Sequence, residues 1–195
     1  MARTAADHLS RLTLTLVAEP DEQGATLLRE LQRTRARVTH RWPMPERVGE
    51  NADIVLCEYA AGLAGRLAWM PGEATAALVV LLPQGGGYDL RELQAATPDA
   101  VLHRPYVPHA VLTALTIAYD HFSFCRRQRT RLARLDENVR SLRDIERAKH
   151  IIMADGQLDE HKAFDKLRSM AMARRMTVAA LAASLVDSGR SRRLP

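Results

Sequence analysis

Residues 77–82, ALVVLL, form an apolar run rich in β-branched and leucine side chains that stops at Pro83 and a run of three glycines, Gly85, Gly86 and Gly87. A strand that is apolar at every position is buried on both faces, and a sheet covered on both faces is normally parallel, its strands joined by helical crossovers. The neighbouring sequence meets that requirement. LTLTLV (12–17), ARVTH (36–40), DIVLCE (53–58) and AVLHRP (100–105) are four further strand-like pieces, and DEQGATLLRELQRT (21–34) sets Leu27, Leu28 and Leu31 on one helical face. Strands spaced by helical segments predict an α/β domain with a doubly wound sheet. In such sheets ligands bind outside the carboxyl ends of the strands, which makes Glu58, at the end of the third strand-like piece, the first residue to examine.

The pattern changes after Pro105 and Pro108. From Val111 to Ala154 there is neither Gly nor Pro, and helix formers dominate. Leu112, Leu115, Tyr119 and Phe122 follow a 3-4-3 spacing, and so do Leu132, Leu135, Val139 and Leu142, which is the spacing of a coiled-coil seam. The two stretches are out of phase by one residue, with the basic RRQRTR (126–131) between them, so a stutter-like break is expected there. A long helix with such a stripe needs a partner. A homodimer is the natural reading; an intramolecular hairpin lacks a second long helix. The long helix is expected to stop at ADG (154–156), with Gly156 as its left-handed cap. Asp159 then caps EHKAFDKLRSMAMARR (160–175), whose Ala163, Phe164, Leu167, Met170 and Ala171 form an apolar face. Thr177 caps a last helix with Val178, Leu181, Leu185 and Val186 inward, closed by Gly189.

Charge separates the two halves. Residues 1–125 hold 11 Lys and Arg against 14 Asp and Glu, whereas residues 126–195 hold 17 against 9. A basic end of this kind meets a polyanion or is simply a solvated helix surface. Aromatic residues make up 5% of the chain, which counts against a base-stacking sheet of the RRM type. The apolar runs are far too short for a membrane span and MARTAADHLS has no hydrophobic signal core, so a cytoplasmic protein with no membrane contact is expected. The glycines at 85–87 are not followed by the Lys-Ser or Lys-Thr of a phosphate-binding loop. The histidines lack ligand spacing, the two cysteines (Cys57 and Cys125) make no metal pattern, no Ser sits in a nucleophile elbow, and Cys57 lacks an evident His partner. No enzymatic role, metal or cofactor is therefore expected.

The first hundred residues fit the flavodoxin-like order and, over 11–109, resemble the receiver domain of bacterial response regulators. That resemblance implies an acidic pair after the first strand that holds Mg²⁺, a phosphoacceptor Asp ending the third strand, a hydroxyl residue after the fourth and a lysine before the proline after the fifth. Here the pair position reads VAEP, leaving Glu19; Glu58 stands at the phosphoacceptor position; Leu82 or Pro83 replaces the hydroxyl residue; and Arg104 replaces the lysine. No lysine precedes Lys149, so the loss is no matter of alignment. The domain reads as a pseudo-receiver in which Glu19, Glu58 and Arg104 mark a degenerate site. Glu58 is either paired with Arg104 or simply solvated at the strand end.

Residues 143–186 resemble an ANTAR domain, the three-helix RNA-binding module of transcription antiterminators. The matching residues are Ile145, Ala148, Lys149 and Met153, then Ala163, Phe164, Leu167, Arg168 and Ala171, then Val178 and Ala182. His150 departs from the Gly common there. A pseudo-receiver (11–109), a coiled-coil linker helix (110–142) and an ANTAR domain (143–189), in that order, are similar to the AmiR/NasR group, and RWPMPE (41–46) is similar to the Trp-Pro segment of its amidase-operon members. The resemblance implies a dimer that binds two hairpins in a leader mRNA and prevents a terminator from forming. It also implies restraint by a ligand-sensing partner of the periplasmic-binding-protein type. The residues expected to contact RNA are Arg147, Lys149, Lys166, Arg168, Arg174 and Arg175, with Ile145, Ala148 and Ile152 packing inward and Arg147 and Lys149 facing solvent. Trp42, Pro43 and Pro45 are candidate partner contacts or a packed loop. A DNA-binding response regulator is the alternative, weakened because TVAALAASLV is almost bare of base-reading side chains; an adaptor for an acidic protein is a third reading.

Overall fold

The computed structural model describes residues 8–191. The chain divides into two compact units between Arg127 and Gln128. The first unit contains β1 (Thr13–Val17), α1 (Glu22–Arg33), β2 (Arg37–Arg41), β3 (Ile54–Glu58), α2 (Leu63–Arg66), β4 (Ala77–Leu82), α3 (Leu90–Ala96) and β5 (Ala100–His103). A long helix, α4 (Pro108–Gly156), begins in it, and the second unit adds α5 (Glu160–Ala173) and α6 (Val178–Ser191). The five strands are all parallel in the order β2-β1-β3-β4-β5, the receiver-like arrangement the sequence predicts. The reversal of order lies between β1 and β3, so the crevice outside the ends of those strands is where Glu58 sits.

Alternation along the buried strands supplies two apolar layers. Leu14, Leu16, Ile54, Leu56, Val79 and Leu81 pack with Leu27 and Leu31 of α1 and with Val111, Leu115, Ala118 and Phe122 of α4. Val17, Val55, Cys57, Leu78, Val80 and Leu82 pack on the opposite side with Leu63, Trp69 and Ala96. Each fully buried leucine contributes about 2 kcal/mol relative to its exposed state. Two acids fasten the amino ends of the strands: the Asp53 carboxylate accepts the Thr13 N–H at 2.8 Å, and the Asp99 carboxylate accepts the Leu78 N–H at 2.9 Å. The loops between β4 and α3 use Gly85, Gly86 and Gly87 at φ of 82°, 99° and 90°, a region open to glycine and costly for other residues.

The sequence reading is corrected at several points along the helices. Leu112, Leu115, Tyr119 and Phe122 do not form a seam: Leu115 and Phe122 are buried in the sheet's core, and Leu112 and Tyr119 pack against it. A 3-4-3 spacing marks any helix face that meets apolar surface, and here that surface is the sheet. Leu132, Leu135, Val139 and Leu142 are exposed, at 59%, 50%, 46% and 63%. Gly156 is the last residue of α4, and the left-handed residue is Gln157, at φ 48°. The second unit's core is Ala148, Ile152, Ala163, Leu167, Ala171, Leu181 and Ala182. Phe164, expected inward, is 38% exposed, because Ala163 and Leu167 fill the face toward α4 and α6. The last helix runs through Gly189 to Ser191 rather than closing there.

Candidate functional site

The crevice site is built from three loop ends. Ala18 follows β1 and is wholly buried, and the chain then turns through Glu19 and Pro20 into α1. Asp21 caps that helix, its carboxylate accepting the Gly24 N–H at 2.7 Å. Gly24 is needed at this turn, since a Cβ there would lie 2.0 Å from the Glu19 carbonyl oxygen. The close approach brings Asp21 over the end of the sheet. Glu58 ends β3, and Arg104 follows β5 immediately before Pro105, with a cis bond between them.

Arg104 joins the acids. One guanidinium nitrogen donates to Asp21 Oδ2, and the other donates to Glu58 Oε1 at 2.5 Å. The second oxygen of Glu58 accepts the Glu19 N–H at 3.2 Å. The guanidinium carbon lies 5.7 Å from the centre of the Tyr106 ring, and the Tyr106 N–H donates to Gln23 Oε1 at 3.1 Å. The side chains of Arg104 and Glu58 are 20% and 18% exposed, so the pair is shielded from solvent on most sides. The Arg104 bond, reinforced by the Gly24 N–H, holds the Asp21 carboxyl below its ordinary range. Burial works against the Arg104 charge, but the bonds to Asp21 and Glu58 outweigh it and raise its pKa above the usual arginine value.

Of the three residues expected at this site, two meet as one of the sequence readings had them and the third takes another part. Glu58 and Arg104 do come together. Glu19 contributes its backbone N–H, while its side chain is exposed. The second acid is Asp21, which the sequence reading assigned only to the start of a helix; its place directly after the β1 turn, in the crevice at the strand-order reversal, was the available signal. Leu82 is buried and Pro83 half-buried where a receiver carries its hydroxyl. A Mg²⁺ ion does not fit these residues. The space between the two acids is filled by a guanidinium that already satisfies them, and a cation beside it would be repelled. Among the described residues no cluster of His, Cys, Asp and Glu is suited to a metal.

Trp42 and Pro43 leave β2 exposed, with a cis bond between them, while Met44 packs on the sheet and Pro45 is half-buried. The segment is therefore anchored in its middle and presents Trp42 outward.

In the second unit the basic residues divide. Lys149 does not face solvent: it is 8% exposed, and its ammonium lies 2.9 Å from Glu146 Oε1 and 2.6 Å from Glu160 Oε1. The bonds to Glu160 and then Glu146 raise its pKa, and Lys149 in turn lowers that of Glu160. Position 149 lies between Ala148 and Ile152 on the packed side of α4, so its stem is covered and only its end reaches α5. Arg147, Lys166, Arg168, Arg174 and Arg175 are exposed. Lys166 and Arg168 lie on α5, but Arg174 and Arg175 fall in the turn that ends it. There the Arg175 N–H donates to the Met172 carbonyl and the Met176 N–H to the Ala171 carbonyl, with Arg175 at φ 54°. This Schellman closure sets two cations against the negative end of the α5 dipole. A groove of about 660 Å³ between α4 and α6 is lined by Arg140, Arg143 and Arg147 but equally by Asp136, Asp144 and Asp187.

The family model described as AmiR, N-terminal matches residues 12–119, and the model described as ANTAR domain matches residues 133–186. No curated protein matches the chain. Among solved structures, the response regulator StyR is similar at 15% identity and a TM-score of 0.49, covering 91% of this chain and 99% of that one. A response-regulator receiver domain from Bermanella marisrubri is similar at 16% identity and a TM-score of 0.38, covering 54% of this chain and 96% of that one.

Proposed function

The chain belongs to the AmiR N-terminal family and carries an ANTAR domain, and from that premise we propose that it is an RNA-binding transcription antitermination regulator controlled by protein contact. The ANTAR match over the basic three-helix unit is the observation that carries this reading. A dimer joined through the exposed stripe Leu132, Leu135, Val139 and Leu142 presents two such units to paired hairpins of a leader mRNA and keeps the competing terminator from forming. Arg147, Lys166, Arg168, Arg174 and Arg175 contact phosphates and unpaired bases. Phe164, exposed one turn from Arg168, adds a ring on which a splayed base can stack. Lys149, held by two glutamates, positions α4 against α5 more than it meets RNA.

Control by phosphorylation is disfavoured, since a phosphoryl group on Glu58 would have to displace Arg104 and would find neither metal nor hydroxyl to receive it. A ligand-sensing partner of the periplasmic-binding-protein type restrains the dimer instead, with Trp42, Pro43 and Pro45 among its contacts. The test is filter binding of the purified protein to its own operon's leader RNA and to duplex DNA across a salt series. Preference for the RNA hairpins, with affinity falling steeply as salt rises, is expected. Equal, weak affinity for both nucleic acids refutes the reading.

A further inference from the structure

Strand β2 is an edge of the sheet, and it is bare on one face as well as along its rim. Parallel strands are joined by crossovers that usually carry a helix, but the connection from β2 to β3, residues 42–53, contains none. It sends Met44 and Val48 to the layer that holds Val17, Val55 and Cys57, and leaves the outer strand open. Register sets Arg37, Thr39 and Arg41 beside Thr13, Thr15 and Val17, on that same side of the sheet, and all three are exposed. Val38, on the opposite side, packs against the other apolar layer. The Arg37 N–H donates to the Leu12 carbonyl at 3.0 Å. Backbone groups alternate in direction along a strand, so those of Val38 and His40 point to the free rim.

Charge marks this strand out. Residues 29–47 hold six arginines and two acids, Glu30 and Glu46, whereas the rest of residues 1–125 holds five arginines against twelve Asp and Glu. The strip is a positive pole on an otherwise acidic unit. Arg33 pairs with Glu30 at 2.9 Å, and Arg47 lies 3.9 Å from Glu50. Among the described residues no acid pairs with Arg35, Arg37 or Arg41. Trp42, 44% exposed, continues the strip beyond Arg41.

We propose that β2 is the docking edge for an extended acidic segment of a partner protein, which joins the sheet as a further strand. The proposal rests on the preceding reading's control by protein contact and not on its RNA. An added strand takes up the free backbone groups of Val38 and His40. Its side chains alternate as those of β2 do, so two carboxylates four residues apart come level with Arg37 and Arg41, which are about 13 Å apart along the strand. Each guanidinium offers a fork of donors that matches a carboxylate. The residue midway between the acids lies opposite Thr39, and the apolar residues beside it lie opposite Val38 and His40. A second copy of the chain does not fit, because β2 against β2 sets arginine against arginine. Single-stranded nucleic acid fits less well. Successive bases need several aromatic platforms, and the strip has only Trp42, at one end. A free row of alternating N–H and C=O groups matches another polypeptide backbone.

The experiment mixes the full-length protein with fluorescein-labelled peptides that share Gly-Ser flanks and carry Glu-Val-Thr-Val-Glu, Gln-Val-Thr-Val-Gln or Lys-Val-Thr-Val-Lys. By anisotropy the Glu peptide is expected to bind about tenfold tighter than the Gln peptide, with the Lys peptide weakest and the preference shrinking as salt rises. In R37E/R41E, altered only at exposed side chains, the order of the Glu and Lys peptides should reverse. Amide hydrogen exchange should slow at Val38 and His40 when the Glu peptide is bound to the wild type. Equal binding of the three peptides, or one order shared by wild type and variant, overturns the proposal, and so does unchanged exchange at Val38 and His40. An oligouridylate that displaces the Glu peptide from the wild type and fails to bind R37E/R41E gives the strip to nucleic acid and also overturns it. Leader-RNA binding measured on the same preparation separates the two readings. Loss of RNA preference with the peptide order intact refutes antitermination alone, and RNA preference without the peptide order refutes the docking edge alone.

Discussion

Replacing Arg104 by Ala removes the cation shared by Asp21 and Glu58 and leaves two carboxylates facing a common gap. Exposed ion pairs contribute at most about 1 kcal/mol, and breaking a buried one costs about 3–5 kcal/mol. With the Arg104 side chain 20% exposed, Glu58 18% and Asp21 36%, the site falls between those limits. The expected loss is about 2 kcal/mol, or a fall in Tm of about 6 °C for a unit of this size. Trp42 and Trp69 are the chain's two tryptophans and both belong to the first unit, so their fluorescence during urea unfolding reports that unit alone. The pH dependence supplies the sharper test. Because the folded-state pKa of Asp21 is depressed, its contribution is present above the unfolded carboxylate value and is lost as pH falls through the folded one. The gap between wild type and R104A should therefore be full at neutral pH and narrow as pH falls below the ordinary aspartate range. Glu58→Gln on its own should cost less than R104A, and the double variant should lose less than the sum of the two. A loss below about 0.5 kcal/mol at neutral pH, or one equally large in acid, refutes the argument that the triad is an ion-paired lock.

Three further outcomes follow from the structure. Acetyl phosphate should leave no phosphoryl adduct on Glu58, Glu19 or Asp21 by intact mass, because Arg104 fills the space a metal would need. Gly49→Ala should destabilise the first unit by about 3 kcal/mol in urea, since a Cβ would lie 2.2 Å from the Trp69 ring and the backbone sits at φ 99°. Lys149→Met should remove part of the acid sensitivity of the second unit's helix signal in circular dichroism. The lowered Glu160 pKa makes the wild-type bond a contribution lost as pH falls through that value, and the raised Lys149 pKa keeps it intact until pH rises beyond the ordinary lysine range.

The sheet was legible because β1, β3 and β4 are buried on both faces, so composition alone marks them, and Pro83 and Pro105 fix where β4 and β5 end. Glu58 was legible because strand ends in such a sheet converge, and Arg104 because the receiver resemblance implies a basic residue before the proline that follows the fifth strand. Asp21 was not, because an acid before a helix has a sufficient local explanation as its cap, and only the packed crevice shows that the same carboxylate also meets Arg104. The two 3-4-3 stretches of α4 look alike in sequence, since the spacing reports an apolar face and not what covers it; Leu115 meets the sheet while Leu135 meets solvent. Lys149 and Phe164 were exchanged for a related reason. A long cationic stem can be buried under its own charge when glutamates wait at its tip, and an aromatic ring is left outside when alanine and leucine already fill the narrow gap between helices.

The Arg104 guanidinium also changes what the solution around the protein is able to do to it. A site that depends on a dissolved ion empties when the ion is chelated or diluted, and its state follows the ion's concentration. Here the positive charge between Asp21 and Glu58 is tethered to the chain after β5, so its local concentration is set by covalent geometry. Chelators and changes in divalent ion supply leave it where it is. The ion pairs at the end of the sheet therefore do not depend on the supply of a dissolved metal.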